Sequence, residues 1–258
     1  MPQPRTRGQW AWLVAIGLAA GFLSGLFGVG GGILIVPALL LLLSLDQRIA
    51  SGTSLAAIVP MASVGVISYA VGGSVDWIAA LLLVAGSVVG AQIGSHLLDR
   101  IPRRVLSWLF IGFIVVVIAT LFLVIPSRDA FVEITLLSGA GLVVLGLGTG
   151  VLSGLLGIGG GIVIVPLLIL IFGASDLVAK GTSLLVIIPT AFFGTLGNLR
   201  RSNVDLRAAA VIGVSACTTT AAGAAIAGII SPTLSTILFA IFLAAVAVQM
   251  TVKLIRSR

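Results

Sequence analysis

Charge is what this sequence has least of. Only 8% of its 258 residues are Asp, Glu, Lys or Arg, against about 25% in an ordinary soluble domain. So little polar surface cannot cover a globule of this size. A soluble enzyme, a secreted disulfide scaffold and a disordered chain are therefore excluded. The single cysteine, Cys217, forbids an intrachain disulfide, and the single histidine, His96, forbids a Cys/His metal cluster. No phosphate-binding loop is present, because Lys180-Gly181-Thr182 runs in the wrong order, so nucleotide-driven pumping is excluded. A Ser/His intramembrane protease would need His96 beside Ser24 or Ser153, and it lies in another segment with no duplicate. The reading is of a non-enzyme with no cofactor and no metal.

What is present is apolar. The hydrophobic set makes up 59% of the chain and the mean hydropathy is +1.31. Between polar or Pro/Gly punctuation lie apolar segments at 10–28, 30–45, 53–72, 77–98, 104–125, 133–156, 158–173, 181–198, 206–230 and 233–254. Most are long enough to cross about 30 Å of hydrocarbon at 1.5 Å per residue. The fold class is an all-α polytopic membrane protein. Segments 30–45 and 158–173 would span only about 24 Å, and glycines alone join each to its predecessor. They are either short crossing helices or re-entrant hairpins broken inside the membrane.

The net charge of +7 reads as topology rather than as nucleic-acid binding. Basic groups gather at Arg5/Arg7, Arg100/Arg103/Arg104, Arg200/Arg201/Arg207 and Lys253/Arg256/Arg258. The links at 72–76 and 230–233 carry no Lys or Arg, and 126–132 carries Arg128 beside Asp129. With ten segments the strong groups share one face, which puts both termini in the cytoplasm and the chain in the inner (cytoplasmic) membrane.

The strongest feature is an internal repeat. Residues 21–37, GFLSGLFGVGGGILIVP, recur at 150–166 as GVLSGLLGIGGGIVIVP. The same shift of 129 carries Gly52-Thr53-Ser54-Leu55 onto Gly181-Thr182-Ser183-Leu184, Pro60 onto Pro189, and Val75-Asp76 onto Val204-Asp205. About 22 of the first 40 aligned positions are identical without a gap. The chain divides into repeats at 1–127 and 128–258, within one membrane domain. Each holds five segments, an odd number, so the second copy enters the bilayer upside down. Inverted repeats with interrupted helices in matching places are the architecture of many secondary transporters.

The duplicated Ser-Gly-x-x-Gly-x-Gly-Gly-Gly, each followed by an apolar run, a Pro and then Gly-Thr-Ser, resembles the sulfite exporter (TauE/SafE) family of membrane transporters. The resemblance covers essentially the whole chain. It implies movement of a small anion, such as sulfite, an organosulfonate or a related oxyanion or carboxylate.

The candidate substrate-binding residues follow from the repeat. Gly28, Gly30, Gly31 and Gly32, with Gly157, Gly159, Gly160 and Gly161, can form anion-binding nests whose N–H groups are unshielded. Each cluster opens a following helix, whose positive dipole end would face the anion. Close packing through small residues is the alternative. Ser24, Ser153, Thr53, Ser54, Thr182 and Ser183 offer neutral hydroxyls, either to substrate or to their own helix carbonyls. Asn198 and Tyr69 occupy equivalent positions and can read the substrate, whereas Gln92 suits an interhelical hydrogen bond. Pro37, Pro60, Pro166 and Pro189 are expected as hinges or breaks. Lys180, with Arg48 near the matching place, either attracts an anion at a pathway mouth or snorkels to the interface. His96 is interfacial, and Cys217 is inert. Asp46, Asp76, Asp99, Asp129, Glu133, Asp176 and Asp205 all map to links or segment ends, leaving no deep carboxylate as a proton relay.

The expected function is a secondary anion transporter working by alternating access. Its partners are the small anion and the lipid bilayer, and no nucleic acid. The alternative is a passive anion channel lined by the glycine-rich breaks, which would need a homodimer to close a filter.

Overall fold

A computed structural model describes residues 6–98, 100–121 and 131–256. The described residues form ten α-helices: α1 (Arg7–Phe27), α2 (Gly32–Leu42), α3 (Gln47–Val71), α4 (Trp77–Leu98), α5 (Arg103–Leu121), α6 (Leu136–Leu156), α7 (Gly161–Phe172), α8 (Asp176–Leu199), α9 (Leu206–Ile229) and α10 (Pro232–Arg256). A shift of 129 carries the start of each of the first five helices onto the start of its counterpart. Arg5, Arg128, Asp129, Asp99 and Arg258, named above for charge, fall outside the described residues, as does the boundary at 127/128.

Local signals explain the starts. Thr6 and Thr135 form capping boxes with Gln9 and Ser138. Asp46, Ser175 and Asp205 accept a backbone N–H at the first turns of α3, α8 and α9. Seven helices are long and apolar enough to cross a membrane, while α2 and α7 are shorter. At 11 and 12 residues those two reach only about 17–18 Å. Pro37, Pro60, Pro166 and Pro189 lie inside α2, α3, α7 and α8, which continue past them.

Packing is reciprocal between the halves. The helix α1 pairs with α9 and α4 with α6, and these are equivalent contacts. Glycine on every fourth residue lets the backbones touch. A methyl group on Gly17, Gly21 or Gly25 would strike the carbonyls of Ile212, Ala216 or Thr220. One on Gly146, Gly150 or Gly154 would strike those of Leu83, Ser87 or Ala91.

At the centre, α3 crosses its own counterpart, α8, in the opposite direction. The start of α3 meets the end of α8, where Gly52 abuts the Asn203 carbonyl and the Asn198 side chain. The start of α8 meets the end of α3, where Gly181 abuts the Ser74 carbonyl and Tyr69. Val89, Val144 and Val214 remain largely exposed near the middle of α4, α6 and α9. A soluble surface would not present such side chains on so many faces, and a lipid-facing one does.

Candidate functional site: two glycine elbows in contact

Each short helix is reached through a glycine elbow, and the two elbows have nearly the same backbone. Gly28 ends α1 in the left-handed region (φ 70°, ψ 20°), with its N–H donating to the Ser24 carbonyl at 2.8 Å. Gly157 ends α6 at φ 72°, ψ 22°, donating to the Ser153 carbonyl at 2.8 Å. Positive φ recurs at Gly30 and Gly31 (76° and 68°) and at Gly159 and Gly160 (83° and 81°). Side chains rarely adopt that region, which accounts for three of the four glycines in each cluster.

The fourth glycine has a different reason. A methyl group on Gly32 would lie 2.7 Å from the Gly157 carbonyl oxygen, and one on Gly161 would lie 2.9 Å from that of Gly28. The elbows therefore touch each other, backbone to backbone. Both rest on the α3–α8 crossing, where Ile58 and Ile187 cover Gly30 and Gly159 alike and Met61 covers Gly31. All of these glycines are buried.

The elbows carry unused donors. Gly31 and Gly160 cap α2 and α7 without any side-chain bond. Among the described residues no hydrogen bond is made by the N–H groups of Gly30 to Ile33 or of Gly159 to Ile162. Two adjacent helix N-termini thus lie against each other with unbonded donors, the arrangement that suits a small anion. Ser24, Ser153 and Ser183 add buried hydroxyls without a hydrogen-bond partner. Ser54 donates to the Gly157 carbonyl at 2.8 Å and Ser51 to the Leu156 carbonyl at 3.3 Å, so α3 holds the second elbow.

Other candidates lie elsewhere. Thr53 accepts the Asp205 N–H, and Thr182 accepts the Asp76 N–H, each at 2.9 Å. These hydroxyls tie each half to the link before the ninth or fourth helix of the bundle. Asn198 donates to the Gly194 carbonyl, beside Gly52 at the far end of α8, and its side-chain oxygen is buried without a partner. Tyr69 donates to the Gly25 carbonyl at 2.6 Å. Gln92 donates to the Phe193 carbonyl, joining α4 to α8. His96 is exposed and meets Arg201. Cys217 is half-buried on α9, and Arg48 is half-buried at the start of α3. No group of three potential His, Cys, Asp or Glu metal ligands occurs among the described residues.

One pair escapes a reading by composition. Asp176 stands at a helix end, as its place between apolar segments suggests, but it is not solvent-facing. It opens α8, is buried, and accepts from the equally buried Lys180 at 2.7 Å. The spacing of four residues was the available signal.

A helical bundle with seven candidate membrane spans and duplicated, buried elbows defines the class: a polytopic membrane protein. The family is specific. Residues 1–121 and 142–258 match the model of the sulfite exporter TauE/SafE family, and the chain belongs to it. Among curated relatives, the chain is 37% identical over 91 residues to the probable membrane transporter protein YunE of Bacillus subtilis, covering 35% of this chain and 33% of YunE. It is 34% identical over 160 residues to a probable membrane transporter protein of Haemophilus influenzae, covering 59% and 60% of the two chains. A second Haemophilus influenzae protein of that description is 27% identical over 201 residues, covering 72% and 69%. The match thus spans about a third of YunE's length. No solved structure matches significantly.

Proposed function

We propose that the protein is a secondary transporter that moves a small anion across the cytoplasmic membrane by alternating access. The substrate class is sulfite, an organosulfonate or a related oxyanion or carboxylate. The observation that carries the reading is the contact of the two elbows at the α3–α8 crossing, each with unbonded N–H groups. Such donors neutralise an anion without a full positive charge in hydrocarbon, where a lone cation would be costly.

Residues 1–127 and 128–258 are the two repeats, inverted with respect to one another. The antiparallel crossing of α3 and α8 supports this, because equivalent spans running in opposite directions belong to halves inserted oppositely. The basic clusters favour cytoplasmic termini. Gly28 and Gly30–Gly32, Gly157 and Gly159–Gly161, with Ser24, Ser54, Ser153 and Ser183, form the cradle. Thr53 and Thr182 are left out, because their hydroxyls face the links ahead of α9 and α4 rather than an elbow, and Asn198 is left out because it borders Gly52 and the Asn203 turn rather than an elbow glycine. Ile58, Ile187 and Met61 close the cradle in this state. Rocking of one half against the other opens it to one side at a time. One copy supplies both elbows, so a carrier needs no second chain.

The test is uptake into proteoliposomes of sulfite, sulfate, sulfonates and short carboxylates, with and without a pH gradient. Saturable uptake and counterflow of at least one anion are expected. Gly31→Val and Gly160→Val should each abolish flux while the protein still inserts. Wild-type flux in both variants, or non-saturable flux without counterflow, overturns the reading.

A further inference from the structure

Lys180 and Asp176 are 2% and 6% exposed. The Lys180 ammonium donates to Asp176 Oδ2 at 2.7 Å and to Ser235 Oγ of α10 at 2.8 Å. Its stem passes the first elbow, where a methyl group on Gly28 would lie 2.6 Å from both Cα and Cβ of Lys180. In the first half the matching positions are Gln47 and Ser51. The ion pair therefore attends one elbow only and breaks the likeness of the halves.

A buried ion pair usually stabilises no better than apolar residues of the same volume. An ionisable pair so fully buried in an apolar bundle points to a task other than stability. The neighbouring elbow is the natural partner in that task, because Gly28 lies directly against the lysine's Cα, Cβ and Cγ.

We propose that Lys180 and Asp176 form a charge switch that couples anion binding at the first elbow to uptake of one proton. The inference rests on the anion-cradle reading above. An anion entering at Gly28–Gly32 draws the ammonium off Asp176, by rotation of a stem that already passes Gly28. The carboxylate, stripped of its counter-ion in an apolar site, binds one proton from the aqueous side that is open. The empty site holds one positive and one negative charge. The occupied site holds the ammonium, the monoanion and a neutral carboxylic acid, so its net charge is the same. On release the anion and the proton depart together and the ion pair re-forms. A monoanion thus moves with one proton and no net charge. Of the other ionisable groups at this end, Glu133 is exposed beside Gly173 ahead of α8, and two more are committed. Tyr69 of α3 donates to the Gly25 carbonyl, and the Asp76 carboxylate ahead of α4 accepts from the N–H groups of Ala79 and Val132. The facing turns of α1, α7 and α10 contain no ionisable residue.

The experiment reconstitutes the whole protein with a trapped pH-sensitive dye and offers sulfite, sulfate and methanesulfonate, the last a permanent monoanion. For the wild type, a gradient of one pH unit should accumulate a carried monoanion about tenfold, the factor that one proton supplies. Protons should enter one for one. Asp176→Asn should lose the response to the pH gradient and become sensitive to an imposed potassium–valinomycin potential. Lys180→Met should lose uptake at least about tenfold, the size expected for a lost contact to a charged group. The double variant Asp176→Asn/Lys180→Met leaves no lone buried charge, so it should insert and elute like the wild type while showing no coupling. Asp46→Asn, at the start of α3 in the other half, should keep the coupling.

Wild-type uptake indifferent to the gradient, or wild-type coupling in Asp176→Asn or in the double variant, overturns the switch. If Gly31→Val abolishes flux while Asp176→Asn stays fully coupled, the switch alone falls. If the wild type carries none of the three anions and no other sulfonate or short carboxylate, the cradle and the switch fall together.

Discussion

Ile58 and Ile187 are the same residue of the repeat, and together they cover both Gly30 and Gly159. Each side chain is fully buried, so either truncation opens a void against both elbows at once. Ile58→Ala and Ile187→Ala should each destabilise by about 2–5 kcal/mol. Because the site is shared, the two losses should be similar and the double variant should depart from their sum. Thermal unfolding of purified single and double variants checks this; one harmless truncation beside one severe one would contradict it.

Glycine replacements should sort by backbone and neighbour rather than by glycine content. Gly28→Ala and Gly157→Ala face both a left-handed φ and a blocked Cβ, against the Lys180 stem and the Ser51 backbone respectively. The backbone term alone is about 1–2 kcal/mol. Gly148, on α6, has open space where a Cβ would go, so Gly148→Ala should raise stability by up to about 1 kcal/mol. Melting temperatures of the three variants should therefore fall on opposite sides of the wild type.

Thr53→Val and Thr182→Val remove the acceptors for the buried N–H groups of Asp205 and Asp76. Each should cost about 1–3 kcal/mol through the unsatisfied donor, with the substrate concentration for half-maximal uptake unchanged. A marked change in that concentration, with stability intact, would return the threonines to the binding site.

The tight helix pairs should tolerate no side chain. Gly90→Leu and Gly150→Leu would push into the carbonyls of Leu147 and Ser87 and separate α4 from α6. Overpacking of this kind costs about 1–3 kcal/mol where neighbours can move, and backbone cannot move as a side chain can. Loss of monodisperse protein in detergent is the expected result, with Gly112→Leu, in open space on α5, as the control.

Much of this architecture is legible in the residues. Long apolar runs mark the crossing helices, and the duplicated glycines mark where α2 and α7 begin. The third and eighth helices are misjudged at their starts. Apolar punctuation suggests 53 and 181, but the helices begin at Gln47 and Asp176. Hydropathy reports composition, and the polar turns led by Asp46 and Ser175 are capped helix rather than link. That same error hides the Lys180–Asp176 pair, which is visible only once both residues stand on one helix. The prolines illustrate the converse. Pro60 looks like a break, yet α3 runs through it, with the proline ring against Gly213 of α9. The meeting of the elbows is beyond any local pattern, because it depends on how α3 and α8 cross.

The reciprocal pairing of α1 with α9 and α4 with α6 has a consequence for biogenesis. The helix α1 buries its glycine face on a helix that begins only at Leu206, far later in the chain. Until then its exposed backbone must be sheltered by lipid, by the insertion machinery or by provisional neighbours. Neither half completes its packing alone, and the seating of α1 waits until α9 has been made.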